Sequence, residues 1–388
     1  MNWQTRALVV TALVYSGCTG QLSSLAPDAE DGGGPGPADA GALDSGAADS
    51  SVWDAATLDV ADSSTPPMDA GTSDGGSPDG GLAPSVPRVI FDTDMAWDWD
   101  DVGAMATLHA LADRGEVEIL GMSVCTGGTA GEWNPHTLDI INTYYGRPDL
   151  PIGLPRRGVN VDDNYGEWLV SQGFPHELDS TEDAVDLYRR LLAEQPDHSV
   201  VLISVGYLNN YNDLLLSEPD GFSDLNGRDL IARKVVFWSA MAGVYPGRDS
   251  EANLQDWHGY ARNAVEDFPV PILFTSTQAG DFETGAALLD TPPDNPIRAI
   301  YEHRQAQVHP ATILHPTFDQ VAVLVAVRDV TELFEPTVSG TNRITLDGEN
   351  RTFNEWLPSP DSGHRYFTHR DRDVTRAVID GLMAAAPR

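Results

Sequence analysis

Short apolar runs and helically spaced apolar residues take turns along this chain from Pro87 to its end. The runs at Val89–Phe91, Glu118–Val124, Val200–Val205, Lys234–Phe237 and Pro271–Thr275 have the length and β-type composition of buried strands. Between them, apolar residues return at helical spacing over Val102–Asp113, Pro135–Tyr145, Ala184–Glu194, Tyr260–Phe268 and Phe318–Val327. Strands alternating with helices predict an α/β domain: a mostly parallel central sheet flanked by helices, Rossmann-like in plan. Near the C-terminus, Arg343–Leu346 and Thr352–Trp356 predict a hairpin around Asp347-Gly348-Glu349-Asn350. No internal repeat or second linker interrupts residues 87–388, so they form one domain at the upper end of single-domain size.

The first 86 residues follow another pattern. Arg6 supplies a positive n-region, and Ala7–Val14 form an apolar stretch too short to span a bilayer. Ser16-Gly17 then precede Cys18, which resembles a bacterial lipobox. Residues 1–17 therefore read as an export signal and Cys18 as a lipidation site, with a lipid-anchored protein in the bacterial envelope as the outcome. Tyr15 departs from the usual aliphatic residue of a lipobox, and simple secretion is the alternative. From residue 18 to 86 the chain is rich in Ala, Asp, Gly, Ser and Pro, without a Lys or Arg from Thr19 to Ser85. Such a stretch buries too little apolar surface to offset its ordering entropy, so it is expected to be a disordered tether.

Charge narrows the partners. With 59 acidic against 23 basic side chains, the formal net charge is −36. That excludes a nucleic-acid backbone as partner, which needs a basic patch. It also excludes electrostatic docking to an anionic bilayer, leaving a lipid at Cys18 as the only membrane attachment. A small molecule is the expected partner, and a homo-oligomer is compatible with the composition. Two cysteines, Cys18 and Cys125, give no disulfide framework, and Lys234 is the single lysine.

The chemistry concentrates in one segment. After the first apolar strand come Asp92, Asp94, Asp98, Asp100 and Asp101, and then the helical spacing of Val102–Asp113. Strand, acidic loop and helix in that order place carboxylates at the carboxyl end of a strand, where open α/β sheets bind ligands. Carboxylates so close need a cation or protons to neutralise them. All-oxygen ligation suits a hard cation such as Ca²⁺ or Mg²⁺. A solvated acidic turn is the commoner meaning of an acidic run, but the apolar strand before it and the apolar helix after it argue against that here.

The run Asp92-Thr-Asp94-Met-Ala-Trp-Asp98-Trp-Asp100-Asp101 resembles the amino-terminal signature of nucleoside hydrolases, the calcium-dependent N-ribohydrolases of the inosine–uridine type. Their common form is Asp-x-Asp-Pro-Gly-x-Asp-Asp; this chain has Met95-Ala96 for Pro-Gly and two extra residues. Later segments are similar in the same order: Gly121–Gly128, Asn134, Val205-Gly-Tyr-Leu-Asn-Asn210, Met241-Ala-Gly243, Glu251-Ala-Asn253 and Pro316–Ala322. The resemblance implies Ca²⁺-dependent hydrolysis of the N-glycosidic bond of ribonucleosides or related ribosides. It implies Asp94 as general base and metal ligand, Asp101 as bidentate ligand, and Asp319 with the Asn209 carbonyl as further ligands. Asp100 is implied at a ribose hydroxyl and at the metal, with Asn134, Glu251, Asn253 and Asp319 also on the substrate. Asp92 is expected to orient the loop through backbone donors, and Asp98 has no counterpart. Many family members carry a histidine where this chain has Phe318, which leaves the departing base without a matching acid.

Taken alone, Asn209 is an ordinary helix cap and Asp319 a residue favoured by a helix dipole. His258 and His315 read as core or surface histidines, and Trp97 and Trp99 either stack on a ligand or pack the loop down. Two rival functions fit part of the pattern. A haloacid-dehalogenase-like phosphatase would use Asp92 and Asp94 with Lys234 as its lysine. A non-catalytic, calcium-dependent nucleoside- or sugar-binding lipoprotein would use the same cluster without turnover.

Overall fold

The structure is a computed structural model and describes residues 86–96, 98–161, 165–255, 258–308, 312–349 and 351–388. The expected signal, Cys18 and the tether up to residue 85 lie outside the described residues, as do Trp97 and Asn350.

An eleven-stranded sheet organises the domain. Its strands in chain order are β1 (Arg88–Thr93), β2 (Glu118–Val124), β3 (Ile152–Leu154), β4 (Glu182–Asp183), β5 (Val200–Val205), β6 (Val235–Met241), β7 (Arg248–Asp249), β8 (Ile272–Thr275), β9 (Val338–Leu346), β10 (Thr352–Pro358) and β11 (His364–Tyr366). They lie in the order β4-β3-β2-β1-β5-β6-β8-β11-β9-β10-β7. From β4 to β11 every neighbour is parallel, and the expected hairpin β9–β10 adds an antiparallel margin with β7. The chain leaves β1 toward β2 on one side and returns to β5 on the other. The carboxyl end of β1 is therefore the switch point at which such sheets form a crevice.

Helices α1 (Asp100–Asp113), α2 (Gly128–Tyr144), α3 (Ala184–Glu194), α4 (Asn209–Leu215), α5 (Gly227–Lys234), α6 (Tyr260–Asp267), α7 (Pro296–Val308), α8 (Phe318–Val327) and α9 (Arg372–Met383) cover the sheet. The two-residue period of β1 assigns its faces. Val89 and Phe91 enter the core shared with α1, α2, α8 and α9, whereas Ile90 enters the core of α3, α4, α5 and α6. Asp92 has the parity of Ile90 and Thr93 that of Phe91, which decides what each can reach. Among the described residues no helix is long and apolar enough to cross a membrane.

Two elements differ from expectation. Helix α2 starts at Gly128 and carries Pro135 inside it, although proline interrupts the ladder of a helix interior. The added turns are held from outside: Thr126–Gly127 pair with Val159–Asn160, and the Ala130 N–H donates to the Val161 carbonyl at 3.0 Å. Lys234 ends α5 instead of opening a strand. Its Nζ donates to the Gln195 carbonyl at 2.7 Å and pairs with Asp197 at 3.0 Å. Lys234 thus sits at the amino end of β6, with the whole strand, about 20 Å long, between it and the carboxyl ends. It is out of reach of the acidic loop, which removes the lysine that a phosphatase reading requires.

Candidate metal and active site

Three carboxylates meet where two helices begin. Asp100 and Asp101 occupy the first turn of α1, and Asp319 the first turn of α8. Their oxygens lie within 4.8 Å of one another, and all three residues are buried. Neither N-cap residue makes a side-chain cap bond, so the first-turn N–H groups and the positive ends of both dipoles are left to the cluster itself. The Asp319 N–H donates to Asp100 Oδ2 at 3.2 Å, tying the two helix starts together. Gly103 permits this approach, because a Cβ there would stand 2.3 Å from Gln320 Nε2 of α8.

Around this triad the loop from β1 is held at every turn. Thr93 Oγ1 donates to Asp101, as its parity on β1 allows, and the Met95 N–H donates to Asp101 Oδ1 at 3.2 Å. Met95 is left-handed at φ 46°, a conformation a bulky side chain adopts only when its surroundings impose it. The Asp94 carbonyl accepts from Thr126 Oγ1 at 2.9 Å and from Asn134 Nδ2 at 2.7 Å. The Asp94 carboxylate accepts from the Ala96 N–H at 3.2 Å. Gly206, after β5, presses against the Asp94 backbone so closely that a Cβ would stand 2.5 Å from its nitrogen.

Burial first, and then mutual repulsion, holds the carboxyls of Asp94, Asp100 and Asp319 well above the usual range. Asp101 is raised by burial too, against the pull of Thr93 and Met95. The triad is an all-oxygen donor set with an excess of buried negative charge, and it suits a hard divalent cation. A pH effect follows. Without a cation, the folded carboxyls keep protons that the unfolded chain gives up near pH 4. The stability they contribute is complete below that pH and is lost as pH rises through their raised values. In chelator the melting temperature should therefore fall between roughly pH 5 and 8, and Ca²⁺ should restore it. Melting curves that are flat over this range and blind to Ca²⁺ would speak against a cation site.

The remaining residues named from sequence fall into two groups. Asn209 opens α4, and its Nδ2 donates to the carbonyls of Cys125 (3.0 Å) and Arg157 (2.9 Å), while its buried Oδ1 has no partner among the described residues. Glu251 and Asn253 lie past the carboxyl end of β6. Glu251 accepts from the N–H groups of Gly243 (3.1 Å) and Asn253 (2.9 Å), and Asn253 Nδ2 donates to the Met241 carbonyl at 3.0 Å. Tyr207, after β5, lies between these groups: burial, then Asp94, Cys125 and Glu251, push its phenol upward. Asn134 is fully buried, and its amide holds the Asp94 backbone in place.

Asp92 is a correction. It was expected to take backbone donors, but it accepts from Tyr188 of α3 and from Asn210 Nδ2 of α4 at 2.7 Å. Its β1 parity points it at those helices, away from the loop. Burial raises its carboxyl to about 7. Trp99 is buried and stacks on His315 with centroids 3.8 Å apart, so it packs the loop down. His315, which the sequence offers as a core or surface histidine, is buried and stands beside the acidic loop. Its Nε2 lies 3.6 Å from Asp98 and 3.9 Å from Asp100. Burial, with Arg304 nearby, lowers it to about 3 and keeps the ring neutral. Phe318, three residues on, packs against the core on the α1 side.

No protein-family profile and no curated protein matches the sequence. Solved structures do match the fold. An inosine-guanosine nucleoside hydrolase superposes with a TM-score of 0.59 at 18% identity, over 77% of this chain and 99% of that one. A purine-preferring ribonucleoside hydrolase from Gardnerella vaginalis gives 0.58 at 17%, over 76% and 99%. The type III effector XopQ, complexed with adenosine diphosphate ribose, gives 0.55 at 15%, over 79% and 94%. The class is thus an α/β protein with its acidic crevice at the switch point. Its particular fold is the one these nucleoside hydrolases have.

Proposed function

We propose that the chain belongs to the nucleoside hydrolases and cleaves the N-glycosidic bond of ribonucleosides or related ribosides with the help of Ca²⁺. One observation carries this: Asp100, Asp101 and Asp319, named from a sequence signature, meet at two helix starts in the fold that nucleoside hydrolases share. Asp94, Asp100, Asp101, Asp319 and the Asn209 carbonyl would hold the cation. When bound, it would supply a polarised water and an anchor for the ribose hydroxyls. Asp94 takes the proton of the attacking water, and burial, which raises its carboxyl above the ordinary range, makes it a stronger base than a free carboxylate. Thr126 and Asn134 fix its backbone, so the acceptor stays where the anomeric carbon must come. Asp100 accepts from one ribose hydroxyl, with Glu251 and Asn253 on the others. Positive charge growing on the sugar ring in the transition state is favoured by the surrounding carboxylates.

A turnover assay separates the readings. Full-length protein with Ca²⁺ should release free base and ribose from a panel of ribonucleosides, and chelator should stop it. Calcium and ribose bound without release would mean a binding module. Phosphate released from a phosphomonoester, without base release, would mean a phosphatase.

Location belongs to the same proposal: export, with a lipid at Cys18 holding the domain at the bacterial envelope. The wild-type chain should fractionate with membranes, and Cys18→Ser should release it. A wild-type chain found wholly soluble outside the cytoplasm would point to ordinary secretion.

A further inference from the structure

Two departures of this sequence converge on one place. Asp98 belongs to the part of the acidic loop with no counterpart in the nucleoside hydrolase signature, and His315 matches no position of it. In the fold, Asp98 Oδ1 and Asp100 Oδ1 stand 3.6 and 3.9 Å from His315 Nε2. One ligand atom from each of the three residues falls within 4.8 Å of the others. The distances are too long for hydrogen bonds. They fall in the range open to ligands of one ion, because donors about 2.1 Å from a shared metal stand roughly 3.0 Å apart at right angles and about 4.2 Å apart when opposite.

The histidine itself points to a ligand. His315 is only 7% exposed, and among the described residues its buried Nε2 has no hydrogen-bond partner. Trp99 stacks on one face of the ring, and Tyr301 meets it edge-on, so the nitrogen is aimed and held. Charge argues the same way. Asp94, Asp98, Asp100, Asp101 and Asp319 interact electrostatically, and Arg304, over the Trp99 ring at 5.4 Å, is the guanidinium whose field reaches Asp98 and His315. One divalent cation offsets only half of the formal negative charge that five carboxylates and one guanidinium leave behind.

We propose that Asp98, Asp100 and His315 form a second divalent-cation site, joined to the first through the shared Asp100 carboxylate. This goes beyond the proposed function and has only Asp100 in common with it. An imidazole in the donor set shifts preference from Ca²⁺ toward first-row transition ions. A carboxylate bridge sets the two ions about 3.5–4 Å apart, the spacing of binuclear hydrolytic centres.

Mn²⁺ tests this without any assay of activity. Full-length, metal-stripped protein titrated with Mn²⁺ should take up two ions per chain, and its electron paramagnetic resonance spectrum should show an exchange-coupled pair. His315→Ala should bind one, with the sextet of an isolated ion. That variant opens a buried stack, so Asp98→Asn, at a carboxylate with 59% side-chain exposure, gives the same test on an undisturbed fold. It too should drop from two ions to one and lose the coupling. A wild-type chain that binds a single Mn²⁺, or an Asp98→Asn chain that still binds a coupled pair, overturns the second site and leaves the hydrolase reading standing. A chain that binds no Mn²⁺ at all also overturns the second site, and the first is then decided by Ca²⁺ titration.

Discussion

Replacing Asp94 with asparagine should abolish ribonucleoside turnover while leaving the fold intact. The amide keeps the shape of the side chain, and its oxygen can still accept from the Ala96 N–H at 3.2 Å. It cannot take a proton from water. Removing a general base costs typically a hundredfold to ten-thousandfold, or about 3–5 kcal/mol of barrier. Loss of one anionic ligand should weaken the cation site as well, so the combined fall should lie at the upper end of that range. Initial rates and melting curves for Asp94→Asn beside wild type make the measurement. A variant with the wild-type melting temperature that keeps a tenth or more of the wild-type rate would show that Asp94 is not the base.

The second large effect concerns the leaving group. By its resemblance to the nucleoside hydrolases, this chain has Phe318 where many of them carry a histidine, and that partly buried side chain packs against the core. His315 is nearby, but burial keeps its ring neutral, so it has no imidazolium proton to give near pH 7. Activated ribosides, such as nitrophenyl ribosides, should therefore outrun inosine and uridine by about a hundredfold to ten-thousandfold in kcat/KM, the usual worth of general-acid help. Asp94→Asn should silence both kinds of substrate. Equal kcat/KM on activated and natural substrates would place a working acid in the site.

How much of this was legible beforehand follows from where each signal resides. Strands β1, β2 and β5 lie inside a parallel sheet, so each carries an apolar stretch (Val89–Phe91, Ile119–Met122 and Val200–Ile203) that stands out from its flanks. Helix α3 has the expected bounds because Asp183 caps it with bonds to the Val185 and Asp186 N–H groups, a local signal. The carboxylates of Asp94, Asp100 and Asp101 share one loop, and their chemistry shows in their spacing. Contacts between distant segments left no such trace. The short strands β3, β4 and β7 exist only through their neighbours, and α2 gains its first turns from contacts with Val159–Val161. The tie of Asn134 to the Asp94 backbone spans forty positions. His315 reaches Asp98 from a small strand pairing with Glu283–Thr284, which no local pattern announces. Asp92 looked like part of the acidic loop, yet its strand parity turned it to the other face.

Metal-stripped, full-length protein is titrated with Ca²⁺ while binding is followed by calorimetry and release of base and ribose from inosine or uridine is followed in parallel. A catalytic cation site formed by Asp100, Asp101 and Asp319 predicts that both curves rise together with the same midpoint, and that both collapse in Asp101→Ala. Hydrolysis that proceeds without any divalent cation, or Ca²⁺ bound to saturation with no base released, would contradict it.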